Sequence, residues 1–143
     1  MQATDIKQVY AAGTAYQLTT TSAALDFGTT DPSVTLNAPG TWLIFSRAVV
    51  KFNAATFAAT KNATIKLRRT NNTAGDITGA STVLPTGVTS TTTGPLGNLV
   101  VPPILYTTTN SGDIISLFGS IETAPSAGSI DVTEAEIIAI RIF

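Results

Sequence analysis

Residues Pro39 to Phe52, PGTWLIFSRAVVKF, restrict this chain to a narrow set of folds. Pro39 presets a φ of about −65° and Gly40 accepts positive φ, so the pair suits a turn that launches a strand. Along that strand Trp42, Ile44, Ala48 and Val50 point one way, and Leu43, Phe45 and Val49 point the other. A strand buried on one face alternates apolar with polar residues. This one does so only where Arg47 and Lys51 interrupt its second face. It therefore lies centrally in a layered core, or its second face meets another subunit.

The remaining sequence is that of an all-β chain. Threonine recurs in TTTSAAL, TSTTTGP and LYTTTNSG, and β-branched residues favour a pleated, half-buried surface. Seven prolines and eleven glycines punctuate the chain, and no segment sustains a helical period. Strand candidates are Tyr16–Thr20, Ala24–Phe27, Val34–Leu36, Trp42–Phe52, Ala63–Thr70, Leu99–Thr108, the run IISLFGSI and Glu136–Phe143, with a short strand at Val83–Leu84. Their spacing and turn chemistry indicate an antiparallel β-sandwich or barrel. The small residues of FNAATFAATKN suit a crossing from one sheet to the other. Pro102 and Pro103 cannot donate to a ladder and imply a sheet edge or bend. Residues 1–15 read as an arm with room for a short strand near Ile6 to Tyr10, and 16–143 as the folded domain. Asn71 to Pro95 reads as a long polar loop, a length that usually signals function or mobility.

The 143 residues are enough for one domain with a two-layer core. Charged residues make up 12% and the net charge is −1, so neither nucleic acid nor an anionic membrane is an expected partner. No apolar run is long enough for a membrane helix, and the first ten residues carry no secretory pattern. With no histidine and no cysteine, the commonest general base, the thiol nucleophile and the usual transition-metal ligands are missing. No cofactor, metal or small-molecule substrate is expected, and no enzymatic role. Glu134 and Glu136 form a same-face acidic pair, which a glycosidase would place across a sugar cleft but which on a strand reads as solvated charge.

Asp76 and Asp113 sit in glycine-containing turns without the alternating acids of a calcium loop, so they read as Asx turns. Asn62-Ala-Thr and Asn71-Asn-Thr match the glycosylation sequon, as chance allows in a Thr-rich chain. Lys66, Arg68 and Arg69 form the basic cluster, read as a solvated strand face or as a contact for an acidic partner. Arg47 and Arg141 each interrupt an apolar strand face. Buried, they need a carboxylate partner, as at a subunit interface; otherwise they reach solvent at the sandwich rim.

The order of these segments resembles the jelly roll of tumour necrosis factor and the complement globular heads. The segments that carry the resemblance are AALDFGTTDPSVTLNAPGTWLIF, ATIKLRRTNN, the Gly-Asp turn of NSGDIISLFGSI and the closing EIIAIRIF, over roughly 16–143. Lacking cysteines and a collagen-type stalk, the chain is most similar to the decoration (cement) proteins of tailed-phage heads. That resemblance implies a homotrimer on the outside of a virion, bound to the major capsid protein. It implies a three-fold interface that includes Trp42, Phe45, Arg47, Phe118, Arg141 and Phe143. It also implies capsid contact through Ile6, Lys7, Val9 and Tyr10 of the arm. Two other roles share the fold: a fibre or spike module that recognises a host glycan through residues 71–95, and a secreted ligand of the tumour necrosis factor or complement-head type.

Overall fold

The computed structural model describes residues 5–86 and 93–143, with the backbone alone for 93–96. Among the described residues the chain forms nine strands and no helix. They are β1 (Ile6–Gln17), β2 (Ala23–Ala24), β3 (Ser33–Leu36), β4 (Gly40–Thr56), β5 (Lys61–Arg69), β6 (Gly75–Thr86), β7 (Thr93–Thr108), β8 (Asp113–Ile121) and β9 (Ala127–Arg141). One sheet has the order β1-β9-β4-β7; the other has the order β2-β8-β5-β6, with β3 also paired to β8. Every pairing is antiparallel, and the chain passes repeatedly between sheets as it proceeds. This is a jelly-roll sandwich.

The inward face of β4 carries Trp42, Ile44, Ala48 and Val50, all fully buried. Ala135, Ile137 and Ala139 of β9 lie beside them in register and close the first layer. Ile65 and Leu67 of β5 and Ile115 and Leu117 of β8 meet them from the second sheet. Burying each such side chain stabilises the fold by about 1.5–3 kcal/mol. Trp42 spends its indole N–H on the Ala38 carbonyl, 3.2 Å away, so its polar atom is satisfied inside the sandwich. Gly40 has a φ of +139°, and a Cβ there would overlap the Phe143 carbonyl, so the chain end can cross only over a glycine.

Strand β4 runs to Thr56 and β5 opens in the other sheet at Lys61, so the small-residue segment makes the expected crossing. Pro102 and Pro103 lie on β7, an edge strand, where the register shifts between Ile44 and Ser46 of β4. There Phe45 faces two residues instead of one, a bulge that tolerates the missing N–H groups.

Two expectations are corrected. Residues 6–15 are not a free arm: they belong to β1, with Ile6 to Ala12 paired one-for-one to Ile140 to Glu134. Alternating Val9 and Ala11 pack toward the core and so commit the segment to the sheet; residues 1–4 lie outside the described residues. Nor is 71–95 one loop. A turn at 70–74 leads into β6, whose pairing with β5 from Lys61↔Thr86 to Arg69↔Gly75 makes a long hairpin, and β7 begins at Thr93. Residues 87–92, the middle of the expected loop, lie outside the described residues.

Candidate functional site

The strand registers arrange the outward face of the first sheet as four rows, each running β1–β9–β4–β7. The first row is Ile6, Ile140, Leu43 and Leu105. The second is Gln8, Ile138 and Phe45, ending at the proline bulge. Tyr10, Glu136, Arg47 and Val100 make the third, and Ala12, Glu134, Val49 and Asn98 the fourth. Leu105 is 61% exposed, and Ile6, Tyr10, Phe45 and Val100 are also exposed. The first two rows carry no charge at all.

One polar cluster sits within this apolar surround. Arg47 Nε donates to Glu136 Oε2 at 3.0 Å, and Gln8 Nε2 donates to Glu136 Oε1 at 2.8 Å. The Gln8 and Arg47 hydrogen bonds hold the Glu136 carboxyl below its ordinary value. Tyr10, next in the row, is raised above the usual phenol value, first by its hydrogen bond to Glu134. A hollow of about 270 Å³ lies beside the cluster, lined by Phe45, Arg47, Val100, Glu136 and Ile138.

The six residues expected at a three-fold interface divide. Phe45 and Arg47 lie on this face. Trp42 does not: it is wholly buried in the core, because its strand position is inward. Phe118 does not either, since it lies on β8 in the other sheet, half-buried with the Arg68 guanidinium 5.3 Å above its ring. Arg141 is at the rim, where Nε donates to the Pro39 carbonyl at 3.1 Å and Nη1 lies 3.6 Å from Asp5. Phe143 projects from the chain end, 82% exposed, with its backbone hydrogen-bonded to Thr41. Of the four residues expected to touch a capsid, Ile6 and Tyr10 share the outward face, whereas Lys7 and Val9 point to its opposite side.

The basic cluster is engaged within the chain, its three cations sharing two carboxylates. Lys66 Nζ donates to Asp76 at 2.8 Å, Arg68 Nε lies 3.5 Å from Asp76 without a hydrogen bond, and Arg69 Nη1 lies 3.6 Å from Asp113. Asp76 is therefore a strand ion-pair partner. Asp113 is the larger departure from the Asx-turn reading. Fully buried at the start of β8, it accepts from Thr108 at 2.5 Å, from Tyr106 at 3.0 Å and from Asn72. Burial pushes its carboxyl up, but those hydrogen bonds and the Arg69 charge outweigh it and hold it below the ordinary value. Burial, then the bond to Asp113, raises Tyr106. Asn71 joins the same corner, donating to the Gly112 carbonyl and accepting from the Ile114 N–H, so its sequon amide is already engaged in the fold.

No protein-family model matches the chain, and no curated protein matches it significantly. Among solved structures it is similar to the VP2 subviral particle of infectious bursal disease virus, at 15% identity and a TM-score of 0.52, over 95% of this chain and 32% of that one. A structure of the Gx strain of that virus matches at 17% identity and a TM-score of 0.50, over the same shares of each chain. Eiger, a tumour necrosis factor from S. frugiperda, matches at 9% identity and a TM-score of 0.48, over 95% of this chain and 85% of that one. The chain thus spans about a third of the length of the viral chains it matches. At these identities the likeness concerns the fold, and the viral chains support the jelly-roll assignment.

Proposed function

We propose that this chain is a structural virion protein, a homotrimeric decoration protein that binds the outside of a phage head and stabilises it. The observation that carries the reading is the uncharged, exposed apolar end of the first sheet. Four strands about 4.8 Å apart and the three residues from Leu43 to Phe45 at about 3.4 Å per residue give these two rows a flat footprint of roughly 200 Å²; with the next two rows, which carry Arg47, Glu136 and Glu134, the face covers roughly 450 Å². A largely apolar face of roughly 450 Å² on a monomer is often a contact surface. Two further copies of the chain are a fitting occupant, because rows without charge can meet their like without repulsion. Three is the number implied by the tumour-necrosis-factor-like resemblance, and a heterologous contact closes into such a ring.

The role is adhesive, not catalytic. A trimer that binds only the assembled shell favours assembly by mass action, and three identical contacts add through effective concentration. The likeness of the fold to a viral shell protein is in keeping with that setting. The test has two arms. Sedimentation analysis of the purified chain is expected to give a trimer, and co-sedimentation with undecorated phage heads is expected to give saturable binding. A monomer at micromolar concentration would overturn the trimer, and shells that neither bind the chain nor gain heat resistance would overturn decoration.

The glycan-binding alternative has one observation in its favour. A groove of about 340 Å³ between β6 and β7 gathers Arg69, Thr73, Asp76, Ile104 and Tyr106, a mixture of polar and apolar groups of the kind sugars use. Binding on a glycan array that is lost with Tyr106→Ala would favour it over decoration.

A further inference from the structure

We infer that Arg47, Glu136 and Gln8 together are the polar determinant of the self-association face and make the assembly come apart in acid. This rests on the trimer reading above and adds to it a mode of release.

The cluster is half-exposed in the single chain, with the Arg47 and Glu136 side chains 34% and 20% accessible. Its surroundings are mostly apolar: Phe45 and Ile138 in the row before it, and Val100 beside Arg47 in its own row. Contact with another copy over these neighbours withdraws the pair from water. In that setting an ion pair contributes little to affinity, but loss of either partner strands a charge and costs a great deal. Because the pair lies within one chain, every docked copy carries it intact, and the contact holds only while both charges remain. Gln8 takes the second carboxylate oxygen, so both oxygens of Glu136 are engaged before any partner arrives.

The groups facing Glu136 have a definite inventory. On β1 they are Gln8 and Tyr10, on β4 Arg47, and on β9 Glu134. Strand β7 offers no ionisable side chain from Gly97 to Leu105. Arg47 is thus the one cation of the four rows. The sign follows from the lowered carboxyl: Glu136 is ionised and paired above the usual carboxylate range, and the pairing is lost as pH falls through its folded value. A protonated Glu136 leaves Arg47 as an unpaired cation in a dry interface. No histidine is needed for such a response, and the chain has none.

The test is sedimentation of the full chain at about pH 7 and at about pH 2.5, the acid arm lying well below the ordinary carboxylate range because Glu136 is held below its ordinary value. Circular dichroism follows folding at each pH. Wild type is expected to associate at the higher pH and to dissociate, still folded, at the lower. Glu136→Gln is expected to weaken association at the higher pH by roughly a hundredfold. The paired replacement Arg47→Met with Glu136→Leu is expected to associate at both values, having no charge to strand. Because wild type and the paired variant share every other carboxylate, their difference in acid isolates this cluster even if acid loosens the fold elsewhere. Glu136→Gln associating like wild type, or a paired variant that still dissociates in acid, overturns the inference. An acid-stable wild-type trimer overturns the inference alone, whereas a monomer at the higher pH overturns the trimer reading and the inference with it.

Discussion

The two outward faces of the sandwich are built from the same kind of antiparallel strand and finished in different ways. On the second sheet the outward rows are Val83–Thr64–Ser120, Ser81–Lys66–Phe118–Ala24 and Asp76–Arg68–Ser116–Ser33. Charge is paired strand to strand there: Lys66 and Arg68 share Asp76, the Ser116 hydroxyl bonds Ser33 at 3.0 Å, and the one aromatic ring lies under a guanidinium. The first sheet gives the equivalent positions to Ile6, Ile140, Leu43, Leu105, Ile138 and Phe45. One face pairs its polar and charged groups within the chain, and the other presents a contiguous apolar set around a single ion pair. The contrast is sharpest in two valines, Val83 at 51% and Val100 at 56% exposure. Single exposed apolar residues are ordinary; a contiguous set of them marks a contact.

Those two valines also give the test with the largest expected effect. Val100→Glu is expected to convert the assembled chain to monomer, because the new carboxylate lies opposite Arg47, competes with Glu136 for one guanidinium and leaves an excess negative charge among the apolar rows. Val83→Glu, equally exposed, is expected to leave assembly unchanged. Both are surface substitutions, so urea unfolding of the monomer is expected to shift by no more than about 0.5 kcal/mol. Loss of assembly in both variants would mean that the two faces do not differ in the way their residues suggest.

The second test asks whether the wet side of the molecule draws its order from one buried acid. Asp113→Ala leaves Thr108, Tyr106 and Asn72 without their acceptor and Arg69 without its carboxylate, so a loss of about 3 kcal/mol is expected in denaturant unfolding. Since the Asp113 carboxyl is held below its ordinary value, its contribution is fully present above the usual carboxylate pH and falls away as pH drops through the folded value. The Asp113→Ala protein is accordingly expected to show a flatter stability profile in acid than wild type. A profile as steep as that of wild type would place the acid sensitivity elsewhere.

Gly40 provides a smaller effect at the apolar end of the first sheet. Gly40→Ala combines a positive φ with overlap on the Phe143 carbonyl, and about 1–3 kcal/mol of strain is expected. Removing Ile142 and Phe143 in the same chain takes away the overlap but not the φ. The truncated variant is therefore expected to recover part of the loss, as read by thermal unfolding. Full recovery would assign the whole effect to the crossing of the chain end.

Much of this was legible in the residues. The inward set of β4, the crossing after Phe52 and the proline-marked edge followed from alternation and from the missing donors of Pro102 and Pro103. Trp42 was misplaced because a large aromatic suits a core and an interface equally, and only its face decides; it shares that face with Ile44, Ala48 and Val50. Phe118 falls in the other sheet from Phe45, which the residues could not tell, because membership of a sheet is a property of topology, not of the strand itself. Segment 75–86 was obscured by glycine and threonine, residues that suit loops and twisted edge strands alike. The Arg47–Glu136 pair lay within reach: both residues stood out, one as a cation needing a carboxylate and the other as half of an acidic pair. What joins them is the β4–β9 register across 89 residues of separation, which local pattern does not contain.

The smallest effect tests whether the second face stays dry-proof without its guanidinium lid. Arg68→Ala removes the cation over Phe118 and one of the two cations beside Asp76. Lys66 remains 2.8 Å from that carboxylate, so no charge is stranded. The expected loss is about 0.5–1 kcal/mol, the usual size for a cation–π contact near a surface, measured by urea unfolding at low salt. The exposed ring is expected to leave sedimentation unchanged, because a single aromatic flanked by Lys66, Ser116 and Ser120 offers no patch for another copy. Self-association through that face would show instead that one guanidinium, not the balance of its polar rows, is what separates it from the first.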